Sequence, residues 1–548
     1  MKTDFDYVIV GAGSSGCVLA NRLSADPTVS VCLIEAGSHD NSLRIQTPAG
    51  TITLYKSKKY SWNFLSAPQR NLNGRTLHTP RGKALGGSSS MNSMIYIRGH
   101  ASDYDRWAQA GCVGWDWNSV LPYFKKSENN RIGQDPRLHG SGGELYVDVA
   151  RDPNPVCNLF IKAAERVGLK RNDDFNGDYL EGCGLYNLTQ KHAKRLSSYR
   201  AFVAPVLDRP NLTVVTDCSV KSLILEQRVA KGVIVHAEGK QQSLIAQREV
   251  ILCAGTFGSP QLLLASGIGP AKELEKAGAK VQHDLPGVGK NLQDHLDGLI
   301  TVRSKSPLTL GFSLGSLPSI LMSPLRYVFN KKGWLTTNYV EAGGFARTPL
   351  AGTLPDVQMH FVPGYRSHRG RLFEWGHGYA VHTCVLRPKS IGELRLERGG
   401  QLLIDFNFMS NPADAAVLIE GLKLTRRILA DTQFDAIRGE EMLPGKAVQT
   451  DEQWMTYLRE YAATVFHPVG TCKMGVDAMS VVDLNLKVYG MENLRVVDAS
   501  IMPTLISGNT NAPCIMIGEK AADLILHGNR TFPFETRTLC GSESIGQG

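Results

Sequence analysis

The stretch Tyr7-Val8-Ile9-Val10-Gly11-Ala12-Gly13-Ser14-Ser15-Gly16, read together with Glu35, decides the fold. Tyr7 to Val10 reads as a short buried strand that runs straight into a GxGxxG turn. Cys17 to Leu23 has helical composition, and a second apolar run, Val29 to Ile34, ends in Glu35. Strand, glycine turn, helix, strand and acid, with the acid about 20 residues past the glycines, is the layout of a βαβ unit that holds a dinucleotide. Gly11 permits the tight turn, Gly13 lets the backbone approach a pyrophosphate, and Gly16 lets helix and strand pack closely. The helix N-terminus at Ser14 and Ser15 offers free N–H groups and positive dipole to phosphates. Glu35 can accept from both ribose hydroxyls, which disfavours a 2′-phosphate there.

Composition narrows what else the chain can be. With 42% hydrophobic and 20% charged residues over 548 positions, it reads as a globular protein of two or three folding units or one elaborate enzyme. The net charge of +9 is spread without a run of basic residues or aromatic interleaving, so no nucleic-acid partner is expected. The eleven cysteines form no CxxC pair, and neither a disulfide framework nor a metal site is indicated. No apolar stretch is long enough to span a bilayer, and the first strand begins too early for a signal peptide. A reducing cytoplasm is the expected location, with peripheral contact to the inner face of the cell membrane left open; nothing in the sequence fixes the oligomeric state.

Three later stretches share the chemistry of the first. Arg81-Gly82-Lys83-Ala84-Leu85-Gly86-Gly87-Ser88-Ser89-Ser90-Met91-Asn92-Ser93-Met94 is dense in small residues that let backbone amides crowd a ligand, and reads equally as a flexible loop. Val250 to Gly255 is a buried strand opening onto Gly258-Ser259-Pro260, where Ser-Pro predicts a helix start. Leu494 to Val497 is a strand ending in Asp498 and Ala499, followed by Gly508-Asn509-Thr510-Asn511-Ala512-Pro513 and a helix expected from Ile515 to Leu526. His467, in Val465-Phe466-His467-Pro468, is a further candidate for chemistry, although a histidine beside a proline at a turn is by itself more often structural.

Taken in order, these five motifs resemble the glucose–methanol–choline (GMC) oxidoreductases from residue 5 to about residue 527. Tyr96-Ile97-Arg98-Gly99-His100, the segment Asp284 to His295 and Gly508 to Pro513 are most similar to the choline-dehydrogenase-like branch, and within it to bacterial alcohol dehydrogenases of alkane degradation. The resemblance implies an α/β (α+β overall) protein in which a Rossmann-like FAD-binding domain is interleaved with a substrate domain. Boundaries are expected at 1–155, 197–300 and 461–530 for the former, 156–196 and 301–460 for the latter, with a tail at 531–548. It implies FAD contacts at Gly11, Gly13, Ser14, Ser15, Gly16, Glu35 and Ala36, and at Trp62, Arg81, Gly86, Gly87, Ser88, Asn92, Ser93, Met94 and Ile95. Further contacts are implied at Val220, Ala254, Gly255, Asp498, Ala499, Asn511, Ala512 and Pro513. His467 would be the base and Asn511 its partner at the alcohol oxygen; His295 is given no base role and is expected to be structural. Relatives there oxidise primary aliphatic alcohols and pass electrons to a membrane quinone, so the resemblance implies an alcohol substrate and a quinone or other non-oxygen acceptor. Some relatives hold the flavin covalently through a histidine where this chain has Met91, which predicts non-covalent FAD. An alcohol oxidase, a non-redox FAD lyase such as a hydroxynitrile lyase, and a fatty-acid photodecarboxylase share these motifs, whereas an NAD-dependent dehydrogenase shares only the first.

The middle of the chain changes character. Asp356 to Val362, Gly378 to Arg387, Gly392 to Glu397 and Leu403 to Met409 read as consecutive strands, which predicts an antiparallel sheet. Leu317 to Val328 is apolar and broken by prolines; it reads as a buried helix, an apolar entrance for alkyl chains, or a membrane-touching surface.

Overall fold

The protein is described by a computed structural model covering residues 3–365 and 374–528. The tail expected at 531–548 lies outside the described residues.

The first forty residues fold as their pattern dictates. Strand Asp4–Val10, helix Ser14–Leu23 and strand Val31–Ile34 form the opening βαβ unit, with strands Asp4–Val10 and Val31–Ile34 paired in parallel. Their sheet continues through Leu212–Val215 on one side and Lys240–Leu252 on the other, both parallel to their neighbours. Strand Leu494–Val496 pairs in parallel with the last residues of Lys240–Leu252. Two further strands, Ser219–Glu226 and Val229–Ala237, extend the sheet as an antiparallel meander. The runs Val8–Val10, Val31–Ile34 and Val250–Leu252 are buried, as strands covered on both faces must be.

A second sheet is antiparallel throughout. Its order is Arg438–Leu443, Leu296–Ser304, Gly378–Val385, Val357–Val362, Ala342–Ala346 and Gly182–Leu185, with the short strand Ala463–Thr464 also paired to Leu296–Ser304. Two of the expected strands lie in it; Glu393–Leu396 and Leu402–Asp405 instead pair with each other as a separate hairpin. The boundary expected at residue 300 cuts Leu296–Ser304, which belongs wholly to this second sheet. Helix Pro412–Ala430 covers one face, burying Leu418, Ile419, Leu422 and Ile428. On that side the Thr383 and Thr425 hydroxyls meet at 2.7 Å. The opposite face is left for the cavity described below.

Two helix starts differ from the sequence pattern, each for a local reason. The helix expected to start at Ser259-Pro260 runs Gly255–Ala265, with Pro260 inside it. Proline removes the donor owed to the Thr256 carbonyl, and the Thr471 hydroxyl supplies it instead at 2.6 Å. The C-terminal helix spans Asn511–His527, starting before Pro513 rather than after it. A proline in the first turn has no N–H to satisfy and is tolerated there.

Candidate active site

The C-terminal ends of the parallel strands open into one cavity of about 1160 Å³. Gly11 and Gly13, Glu35 and Ala36, Ala254 and Gly255, and Asp498 and Ala499 line it, each pair following a different strand. Such a crevice beyond the carboxyl ends of parallel strands is where open α/β sheets bind ligands. Three helices, Ser14–Leu23, Gly255–Ala265 and Asn511–His527, begin on this cavity; none has a capping side chain on its N-cap residue, although the Gly255 amide donates to Asp498. Uncapped N-terminal N–H groups and three converging dipoles form a receptor for negative charge.

The glycines perform distinct tasks. A Cβ on Gly16 would lie 2.0 Å from the Gly11 carbonyl, and one on Gly87 would lie 2.8 Å from the Gly13 Cα. Gly86 donates its amide to the Ala12 carbonyl at 2.8 Å, pinning the serine-rich loop onto the first turn. Of the residues expected to touch a cofactor, Gly16, Gly86, Ala512 and Pro513 stand behind the cavity wall. Trp62, Arg81, Gly87, Ser88, Asn92, Ser93, Met94, Ile95 and Val220 line it alongside Ser14, Ser15 and Asn511.

The Glu35 carboxylate accepts from the amides of Ala12, at 3.1 Å, and Gly37, at 2.8 Å. Burial pushes its pKa up to about 7, so an added hydrogen-bond donor such as a ribose hydroxyl favours its charged form. Asp498 accepts from the Gly255 amide and from the Ser259 and Ser500 hydroxyls, tying strand end to helix start. This set of an acceptor at Glu35, glycine-lined backbone and the open helix ends at Ser14 and Asn511 fits FAD, whose diphosphate is anionic and whose ribose needs an acceptor.

The other wall of the cavity is the antiparallel sheet. Asp297 and Leu299, His360 and Val362, and Ala380 and His382 line it at a spacing of two on three adjacent strands. Asp297 Oδ2 lies 2.9 Å from His382 Nδ1. Leu310, Phe312 and Trp334 add an apolar side.

His467 sits at the seam between the two sheets. Its chain leaves strand Ala463–Thr464 of the antiparallel sheet, and Gly470 then donates to the Ala499 carbonyl on the dinucleotide side. Phe466 adopts φ 73°, in the left-handed region where a bulky side chain is strained. Asp294 holds this turn by accepting the His467 amide at 2.9 Å and the Thr464 hydroxyl. Burial raises the Asp294 pKa to about 6.

The side chain of His467 lies in a hydrogen-bond chain whose direction is fixed at both ends. The Ile506 carbonyl can only accept, so His295 Nε2, 3.1 Å away, carries a hydrogen. Burial lowers the His295 pKa to about 4, keeping the ring neutral and its Nδ1 an acceptor. His467 Nδ1, at 3.1 Å from that atom, therefore donates. Its own Nε2 is left with a lone pair, which receives Asn509 Nδ2 at 3.1 Å. At the other end, the Tyr186 hydroxyl donates to the Met359 carbonyl, and Gln358 Nε2 donates to both Tyr186 Oη and Asn509 Oδ1. Burial, then the proximity of His295, His360 and Arg81, holds the His467 pKa well below the 6.5 of an ordinary histidine. A neutral imidazole whose Nε2 lone pair lies in a cavity, held by the Asn509 amide, is the form a general base requires.

The expected partner Asn511 is placed differently. It is the first residue of its helix, and its Oδ1 accepts from the Ser14 hydroxyl at 2.7 Å. The asparagine against His467 is Asn509, in the loop before the helix. His295, expected to be structural with no base role, stands beside the site and positions His467. Asn509, His295, Gln358, Asp297, His360 and His382 were not singled out as site residues by their sequence context. For Asn509 a signal existed, because Gly508-Asn509-Thr510-Asn511 offers two asparagines in one loop.

Fold and site together define an oxidoreductase of the two-sheet flavoprotein type, with a dinucleotide cradle facing a histidine-bearing substrate wall. Two models of the family described as GMC oxidoreductase match residues 5–297 and 388–518, and the chain belongs to that family. It is 46% identical over 527 residues to an alcohol dehydrogenase [acceptor] of Pseudomonas putida, covering 95% of this chain and 96% of that one. An oxygen-dependent choline dehydrogenase of Photobacterium profundum is 40% identical, covering 98% and 96%. Among solved structures, pyridoxine 4-oxidase from Mesorbium loti superposes with a TM-score of 0.86 at 31% identity, covering 96% and 100%. A formate oxidase of Aspergillus oryzae gives 0.87 at 29% identity, covering 95% and 98%.

The placement of the two asparagines predicts that Asn509→Ala slows alcohol-driven reduction of the bound flavin by about tenfold or more, a loss of about 1.4 kcal/mol in the barrier. Asn511→Ala is expected to slow it less, and rapid mixing of both variants with a primary alcohol checks the order.

Proposed function

We propose that this protein is an FAD-dependent alcohol dehydrogenase that converts a primary alcohol to the aldehyde. The observation that carries this reading is the lone pair of His467 Nε2, held toward Asn509 in the cavity that the dinucleotide cradle opens into. Flavin, when bound, supplies the two-electron acceptor that takes hydride from the carbinol carbon. The protein's own residues perform the rest. His467 Nε2 takes the hydroxyl proton, which turns the alcohol into an alkoxide from which hydride leaves far more easily. The Asn509 amide donates to the same oxygen and holds it without changing protonation state. As the imidazole gains its proton at Nε2, the Nδ1–H bond to His295 keeps the ring from turning.

The apolar side made by Leu310, Phe312 and Trp334 supports an aliphatic chain beyond the reacting carbon. The similarity to the P. putida alcohol dehydrogenase [acceptor] supports a non-oxygen acceptor, such as a quinone, for the electrons. Met91 is buried and lines the cavity in the serine-rich loop, and its thioether supports a flavin held without a covalent bond.

Two measurements test these statements. Under argon, a primary alcohol is expected to bleach the flavin absorbance, with slow recovery when air is admitted. Rapid recovery with peroxide formation would make the enzyme an oxidase, and no bleaching by any alcohol would remove the dehydrogenase reading. Acid precipitation is expected to leave the yellow colour in the supernatant; colour retained by the pellet would contradict non-covalent binding.

A further inference from the structure

Behind the serine-rich loop lies a positive charge with no acid to meet it. Arg195 ends the hairpin formed by Gln190–Lys191 and Lys194–Arg195 and is 4% exposed. Its guanidinium bonds neutral oxygens alone. Nε donates to the Ile45 carbonyl at 2.9 Å, and Nη2 to the Thr51 hydroxyl at 2.6 Å. Nη1 donates to the Ser89 and Asn92 carbonyls and to Asn92 Oδ1. Among the described residues no carboxylate pairs with it, and the titratable group that acts on it is the Tyr55 phenol. Burial lowers its pKa to about 10, which leaves it charged at neutral pH. The two other buried arginines of the described residues each face a glutamate, Arg98 at 2.7 Å from Glu128 and Arg495 at 2.6 Å from Glu249. A buried ion without a partner is strongly destabilising, and such departures are expected where function needs them.

The charge stands close behind the end of the cavity that holds His467. Asn92, whose two oxygens both bond Arg195, lines the cavity, as does Tyr55. The Tyr55 ring lies 5.7 Å from that of Phe466, the residue before His467. The half-buried Arg81 reaches the same residue, donating Nη2 to the Phe466 carbonyl and Nε to the Pro80 carbonyl, each at 2.6 Å. Asp294, the carboxylate that acts on Arg81, is already bonded to the Thr464 hydroxyl and to the His295 and His467 amides. An oxidised flavin ring and an alcohol are both neutral, so the negative charge that these cations answer arises during the reaction.

We propose that Arg195, assisted by Arg81, is the fixed counter-charge for the electrons that a bound flavin receives, and so raises the flavin's reduction potential. Hydride transfer breaks the C–H bond of the alkoxide and moves that hydrogen with both electrons to the flavin. The carbinol carbon becomes the aldehyde carbonyl, and the hydroxyl proton stays on His467. The flavin thereby gains one negative charge and the imidazole one positive charge. Arg195 does not line the cavity; it is a positioning residue whose field acts across the wall and through Asn92, already in place before the charge develops. The inference rests on the hydride-transfer reading for its purpose, but its test contains no alcohol, so either can fail alone.

The test is the midpoint potential of the flavin-loaded protein, measured under argon against a dye of known potential. Binding of FAD and of ADP to the apoprotein is measured alongside. The unaltered protein is expected to hold its flavin at a higher potential than free FAD, a comparison that needs no variant. Arg195→Gln is expected to shift the reduction equilibrium about tenfold toward oxidised flavin, a fall of about 30 mV for a two-electron couple. Arg195→Lys, which restores the charge without the planar fork, is expected to recover most of that fall. A potential in the unaltered protein at or below that of free FAD would overturn the proposal. So would an unchanged potential in Arg195→Gln with its flavin bound. An equal fall in the glutamine and lysine variants would trace the effect to shape rather than charge and overturn it too. Weakened ADP binding by Arg195→Gln at an unchanged potential would assign the charge to the diphosphate, with the same consequence.

Discussion

Two backbone carbonyls that can only accept, those of Ile506 and Met359, set the protonation pattern of the whole reactive centre. Between them the roles are fixed: Tyr186 and Gln358 orient Asn509, His295 orients His467, and the accepting lone pair falls on His467 Nε2, facing the Asn509 amide. Low dielectric strengthens this chain, because an unmatched polar group in it would be costly. Neutrality matters equally. The buried imidazoles of His295 and His360 and the half-buried Arg81 lie close enough to His467 to disfavour an added charge on it, so the base waits unprotonated.

The two sheets meet where that chain sits. The parallel sheet contributes strand ends and helix N-termini, which deal with phosphate and ribose through backbone groups. The antiparallel sheet contributes side chains, because alternate residues of Leu296–Ser304, Val357–Val362 and Gly378–Val385 all face the cavity. Asp294 and Thr464 tie the strained turn at Phe466 to the antiparallel sheet, and the Gly470 amide ties the chain beyond it to Ala499 on the parallel side, so the strain is offset by hydrogen bonds outside the reacting atoms.

The cradle was legible in the sequence because backbone demands act on residue type: only glycine fits at position 16, and an acid must follow the second strand. Pattern alone found strands Val357–Val362 and Gly378–Val385. It missed Leu296–Ser304, whose Asp297 and Gly298 interrupt the apolar run and whose partner strands, Gly378–Val385, Arg438–Leu443 and Ala463–Thr464, are all remote in sequence. The choice between Asn509 and Asn511 was not legible, since it turns on where the last helix begins. Pro513 pointed to a later start, but a first-turn proline moves the helix forward and commits Asn511 to Ser14. The role of His295 is set by the Ile506 carbonyl, more than two hundred residues away in sequence, which no local reading brings beside it.

The central claim is that His467 is the base, and the most direct measurement is anaerobic rapid mixing of His467→Ala with a primary alcohol. The account predicts a variant that keeps its flavin but is reduced by alcohol at least about 10²-fold more slowly, the lower end of what a general base contributes. Reduction at a rate near that of the unaltered protein, with the flavin equally well bound, would contradict it.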